Sequence, residues 1–299
     1  MAIDLRQALA IPKVADGDWS TQLDRLGCPP GFCREQWNLS HPDRVAHVAA
    51  SYVRAGADVI RTNTFAANRF ALERYNLADK VESLNRTGAA ISRQAAGDNV
   101  WVFGSMGPSG RIVLAQEVSE QDLYRAYLSQ ARALAAGGVD AILCETMTEL
   151  AEALAAVRAG KETGLPVVAS MMFDTGPDYM LTMMGVTVDD AVEQLAKAGA
   201  EVLGCNCGIG TDACIKIVQC FRQRTDLPIW ARPNAGLPEI HSGPQGLGTL
   251  IYKEDPEEFA SKAARLLAAG AAFVGGCCGT TPSHIARLAS IAKGARPAG

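Results

Sequence analysis

The chain has 299 residues, 48% hydrophobic and 20% charged, a globular composition long enough for two ordinary domains or one large barrel. Its net charge of −4 argues against a partner read through a phosphate backbone, so no nucleic acid is expected. Apolar runs stay short of a membrane span, and Met1-Ala2-Ile3-Asp4-Leu5-Arg6 lacks the basic-then-apolar pattern of a secretory signal. A cytoplasmic protein is expected, whose nine cysteines read as thiols, metal ligands or redox groups rather than a disulfide framework.

Taken in chain order, short apolar runs end near Asp16, Thr62, Ser105, Glu145, Phe173, Cys207, Asn234 and Cys278. Amphipathic helical patterns fill most of the intervals, as from Arg44 to Ala55, Glu120 to Ala136 and Pro256 to Ala269. One phrase recurs where a helix hands over to a strand: Ala55-Gly56-Ala57-Asp58-Val59, Gly137-Gly138-Val139-Asp140-Ala141, Ala198-Gly199-Ala200-Glu201-Val202 and Ala269-Gly270-Ala271-Ala272-Phe273. Thr163-Gly164-Leu165-Pro166-Val167 is a looser copy. The glycine suits a left-handed residue just past a helix, and the run after it suits a parallel strand buried on both faces. Eight such units predict an α/β fold, a (β/α)₈ TIM barrel forming a single domain over 1–299, with its core at about 13–290. A doubly wound open sheet competes, weakened by the lack of a Gly-rich phosphate-binding turn after the first strand.

In a barrel the chemistry gathers at the C-terminal strand ends. Those positions here are Asp16-Gly17, Thr62-Asn63-Thr64, Glu145-Thr146, Cys205-Asn206-Cys207, Pro233-Asn234 and Cys277-Cys278. Carboxylates there also cap helices, which is the competing role for Asp16 and Glu145. Adjacent cysteines rarely bond each other, but among Gly275, Gly276 and Gly279 both Cys277 and Cys278 can reach one metal. A third thiol from the Gly204-to-Gly208 segment completes three sulfur ligands, and three thiolates leave one tetrahedral position of zinc open. Buried free cysteines packing as small hydrophobes are the alternative.

The ordered set Asp16-Gly17, Thr62-Asn63-Thr64-Phe65, Gly107-Pro108-Ser109-Gly110, Glu145-Thr146, Gly204-Cys205-Asn206-Cys207, Pro233-Asn234-Ala235-Gly236 and Gly275 to Pro282 resembles the homocysteine S-methyltransferase family. Within it, the resemblance is greatest to the homocysteine-binding module of cobalamin-dependent methionine synthase. The resemblance implies a zinc (Zn²⁺) held by Cys207, Cys277 and Cys278, with homocysteine sulfur as exchangeable fourth ligand and Cys205 as a packing residue. It implies that Glu145 with Asp16 serves the substrate ammonium, and that backbone amides near Gly17 and Ser105 serve its carboxylate. Asn234 would offer a neutral oxygen to the metal when homocysteine is absent. Thr62 and Asn63 either bind substrate or form a polar network at the barrel end. The expected activity is methylation of homocysteine to methionine, the zinc holding the acceptor as a thiolate.

The methyl donor stays open. After Ile291 only a short tail follows, and no histidine lies in an Asp-x-His-x-x-Gly pattern, since Leu39, Val45, Glu239 and Pro282 stand two before the four histidines. A corrinoid is therefore expected on a separate protein; the other donors are small onium compounds such as S-methylmethionine or S-adenosylmethionine. Trp19 offers one wall of a cation–π site, or packs. Met180 to Met184 offers an adaptable apolar surface, or fills core. Two alternatives accompany this reading: a corrinoid-partnered relative with another donor or acceptor, and a non-catalytic zinc or redox thiol protein.

Overall fold

The computed structural model describes residues 3–242 and 248–294. Eight parallel strands form the sheet: β1 (Lys13–Val14), β2 (Val59–Arg61), β3 (Trp101–Met106), β4 (Ala141–Met147), β5 (Val167–Met171), β6 (Val202–Gly210), β7 (Ile229–Asn234) and β10 (Phe273–Val274). They run in the order β1-β10-β7-β6-β5-β4-β3-β2. A parallel bridge from Ala15 to Val59 joins the two ends, closing the sheet into the expected (β/α)₈ barrel. All eight strand ends fall at or within a few residues of their expected places. The expected helices lie at Pro42–Arg54, Glu120–Ala136 and Pro256–Ala268. The recurring glycine is left-handed in each copy, with φ of 100° at Gly199 and 101° at Gly270, values that a side chain would strain. An antiparallel hairpin, β8 (Glu239–Ser242) with β9 (Gly248–Ile251), interrupts the connection after β7; sequence reading placed nothing regular there.

The period of two along each strand sorts the side chains. Outward residues such as Ile60, Val102, Ile142, Leu203 and Ala231 pack under the helices in the larger core. Inward residues Val59, Phe103, Leu143, Val168, Trp230 and Phe273 form a second cluster inside the barrel, joined from below by Leu5 and Ala8 of the N-terminal segment. The rings of Phe103, Trp230 and Phe273 lie 5.6–5.9 Å apart, centre to centre. One step further along the same strands the inward residues become Arg61, Ser105, Glu145 and Arg232. The barrel is thus plugged at its N-terminal end and polar at its C-terminal end.

Candidate active site

Three thiols meet at that polar end. Each Sγ of Cys207, Cys277 and Cys278 lies within 4.8 Å of the others, and among the described residues this is the one such group able to hold a metal ion. Two local features bring them together. β6 is irregular in register between Asn206 and Gly210, and Cys207 itself has φ of 63°; extra residues of this kind re-aim a side chain at a strand end. On the other side, a Cβ on Gly276 would sit 2.4 Å from Thr280, so only glycine lets Cys277 and Cys278 turn in. Thr280 then fastens the turn, its hydroxyl donating to the Cys277 carbonyl at 2.7 Å.

Neighbouring side chains hold this arrangement. Asn234 accepts from the Cys278 backbone N–H at 3.1 Å, so its oxygen positions the cysteine turn. Asn206 joins β6 to β4: it accepts from Thr146 N at 2.9 Å and donates to Thr146 Oγ1 at 2.7 Å. Thr146 also has a left-handed φ of 63°, so both strands that flank the thiols are bent and tied to each other. Hydrogen bonds from the Cys207 and Cys278 thiols, with Arg232 and Arg61 beyond them, hold the Cys277 sulfur well below the ordinary thiol range. The same sharing pushes Cys207 and Cys278 up. Cys205 is buried 3.4 Å from the Cys214 sulfur, outside the trio, as expected.

Beneath the thiols lie four buried charges. Arg61 Nε donates to Asp16 Oδ1 at 2.9 Å, and its Nη1 reaches both Glu145 oxygens at 3.0 Å. Arg232 Nη1 donates to Glu145 Oε2 at 3.0 Å, and its Nη2 lies 3.4 Å from Asp16 Oδ1. Ser105 donates to Glu145 Oε1 at 2.5 Å, and the Trp19 indole to Asp16 Oδ2 at 2.6 Å. The two arginines were not among the residues singled out from sequence. Their signal was there: an arginine at an inward position of an apolar strand must find a carboxylate across the barrel, and two carboxylates stood at strand ends.

A cavity of about 410 Å³ opens above this floor, walled by Arg61, Thr62, Asn63, Ser105, Glu145, Cys207, Cys277 and Cys278, with Asp18, Trp19 and Glu35 to one side. Asp16, Gly17 and Asn234 lie behind that wall. The Gly17 carbonyl takes Nη2 of both arginines, at 2.6 and 3.2 Å. Thr62 Oγ1 receives the Ser105 amide at 3.0 Å and shares a 2.5 Å bond with Thr64. Asn63 donates to the Arg34 carbonyl and to Asn38. Burial, and then the nearby Cys277 sulfur, push the Asp18 carboxyl up. The methionine-rich stretch sits on the loop after β5, Met183 being 66% exposed, away from this cavity.

The family model described as homocysteine S-methyltransferase matches residues 13–292. The methionine synthase of Mycobacterium tuberculosis (strain ATCC 25618 / H37Rv) is 33% identical over 306 residues, covering 95% of this chain and 25% of that protein. That of Mycobacterium leprae (strain TN) is 32% identical over 296 residues, 93% and 24%. The chain spans about a quarter of the length of these relatives. Among solved structures, the metallated form of the homocysteine methyltransferase MmuM from Escherichia coli superposes with a TM-score of 0.79. It is 24% identical and covers 96% of this chain and 100% of its own, a likeness of fold. With the barrel closed, the ordered strand-end motifs in place and the family model covering nearly the whole of it, this chain belongs to the homocysteine S-methyltransferase family.

Proposed function

We propose that this chain transfers a methyl group to the sulfur of homocysteine, giving methionine, and that Cys207, Cys277 and Cys278 hold a Zn²⁺ for that purpose. The observation that carries the reading is the thiol trio on a cavity wall. Its spacing suits the ion: sulfurs about 2.3 Å from a tetrahedral zinc stand about 3.8 Å from one another, and Cys207 and Cys278 are 3.7 Å apart. A zinc bound there supplies Lewis acidity, which strips the proton from an alkyl thiol of ordinary pKa about 8.5 near neutral pH.

The chain's own residues then do the positioning. With Cys207, Cys277 and Cys278 as thiolate ligands, the site would carry a net negative charge that keeps an adjacent sulfur nucleophilic. Asn234 and Thr280 fix the cysteine turn, while Asn206 and Thr146 fix the opposite strand pair. Glu145 and Ser105 form the cavity floor beneath the acceptor. Methyl transfer is an in-line displacement at carbon, so such rigidity bears directly on rate. All nine cysteines are free thiols, which fits the cytoplasm. Among the described residues no helix is long and apolar enough to cross a membrane.

A protein-bound methylated corrinoid is the donor we favour over a small onium compound. Phe65, Ile112, Leu114, Met183 and Leu237 are exposed hydrophobics on the loops after β2, β3, β5 and β7, at the same end of the barrel as the cavity. Exposed apolar residues at that end suit a docking partner. The test is a donor panel with reduced, zinc-loaded protein and homocysteine, followed by methionine formation. Turnover is expected with a methylated corrinoid protein and at least about a hundredfold less with S-methylmethionine or S-adenosylmethionine, roughly the effect of two lost anchoring contacts. Alanine in place of Cys207, Cys277 or Cys278 is expected to remove zinc and turnover together. A variant that keeps one equivalent of metal removes that residue from the ligand set.

A further inference from the structure

The charge cluster beneath the thiols bears on how the acceptor's amino-acid end is held. Two arginines face two carboxylates, so the cluster is neutral before any ligand arrives. A carboxylate offers about four acceptor sites. Glu145 receives Ser105, Arg232 and, on both oxygens, Arg61. Asp16 is fully buried and receives Trp19, Arg61 Nε and the Arg61 backbone N–H, with Arg232 alongside. An incoming ammonium would find both carboxylates committed and a guanidinium beside them.

The guanidinium is in the opposite position. Arg61 has five N–H donors; four contacts occupy them, to Asp16, to both Glu145 oxygens and to the Gly17 carbonyl. One Nη2 N–H remains, on a side chain that lines the same cavity as the three thiols. The other carboxylates on that wall, Asp18 and Glu35, are tethered from the side: Asp18 by Ser20 N and Thr21 Oγ1, Glu35 by Ala66 N.

We propose that Arg61 anchors the acceptor through its carboxylate, and that the site selects thiols bearing a carboxylate a few bonds from sulfur, the ammonium adding comparatively little. This rests on the reading of the cysteine trio as the metal site that binds the acceptor sulfur. It reassigns the amino-acid contacts expected of Asp16 and Glu145, which become the groups that hold Arg61 in place.

The experiment is a thiol titration of the intact chain loaded with Co(II), read by the sulfur-to-cobalt charge-transfer absorption, which needs no turnover. The ligands are homocysteine, 4-mercaptobutanoate (no ammonium) and 3-mercaptopropylamine (no carboxylate). The expected result is binding of 4-mercaptobutanoate within about tenfold of homocysteine, and of 3-mercaptopropylamine at least about thirtyfold weaker, the size of one lost hydrogen bond to a charged group. Equal or tighter binding of the aminothiol overturns the proposal. A flat spectrum with homocysteine itself overturns the underlying metal-site reading, and is distinguishable because it precedes any comparison of analogues. Arg61→Gln, checked for fold by circular dichroism, is expected to shrink the preference to about threefold or less; an unchanged preference counts against Arg61.

Discussion

Two layers of the same barrel interior are filled in opposite ways. In the lower one Phe103, Trp230 and Phe273 meet ring to ring. Two residues further along, on the same faces of the same strands, stand Ser105, Arg232 and Gly275, and beside them Arg61 follows Val59 and Glu145 follows Leu143. The layers touch: the Arg232 guanidinium lies 5.7 Å from the centre of the Trp230 ring. Dispersion and burial hold the lower layer, and any side chain of suitable volume serves that purpose. The upper layer holds only as a set, because each buried charge depends on the others for the solvation it has lost. One strand thus carries a tolerant stretch and an intolerant one within a single β period, and the intolerant one forms the cavity floor.

The sharpest way to break that contrast is a near-isosteric change in each layer. Glu145→Gln keeps the shape and removes one negative charge, leaving Arg61 and Arg232 facing Asp16 alone. The expected loss is about 3–5 kcal/mol of unfolding free energy, the scale for stripping one partner from a buried ion pair, read by urea denaturation. A loss under about 1 kcal/mol would show that the upper layer tolerates substitution as the lower one does. Phe103→Leu removes ring volume from the lower layer without touching charge. It is expected to cost about 1–2 kcal/mol, as modest core truncations do, seen as a lowered thermal midpoint with metal content unchanged.

The lower layer and the barrel itself were legible in the sequence, because their cause is local. The glycine-initiated phrase marks each handover from helix to strand, and inward apolar residues recur with a period of two. The cysteine trio was legible for a different reason: paired thiols among glycines have few uses. The upper layer was half legible. Asp16 and Glu145 stood out as carboxylates at strand ends, but the partner of each was set by barrel closure, which brings Arg61 to Glu145 across 84 residues and Arg232 to it across 87. No spacing rule reaches that far. The bulges that turn Cys207 and Thr146 inward were equally hidden, since neither residue type favours a left-handed backbone. The hairpin Glu239–Ser242 with Gly248–Ile251 lay unread inside a polar connection.

A second buried glutamate sharpens the contrast at the smallest scale. Glu152 lies in the first turn of the helix Leu150–Lys161 and is 3% exposed, as Glu145 is 1%. Its partners are neutral: Ser109 N at 2.7 Å and the Tyr127 hydroxyl at 2.9 Å, both on Oε1. With no cation to offset it, burial pushes the Glu152 carboxyl above its ordinary range. A carboxyl whose pKa is higher folded than unfolded binds its proton more tightly in the folded chain. Its contribution to stability is therefore full below the ordinary carboxylate pKa of about 4.3 and is lost as pH rises through the raised value. Glu152→Gln retains a carbonyl oxygen for Ser109 and Tyr127 and has no charge to bury. At pH 7 the substitution is expected to be neutral or to stabilise by up to about 1 kcal/mol, and at pH 5 the gain is expected to be smaller. Urea midpoints for native and variant chains at the two pH values measure the difference. The same change of glutamate to glutamine should thus carry opposite signs at positions 145 and 152, because what decides the sign is the company of a buried carboxylate and not its depth.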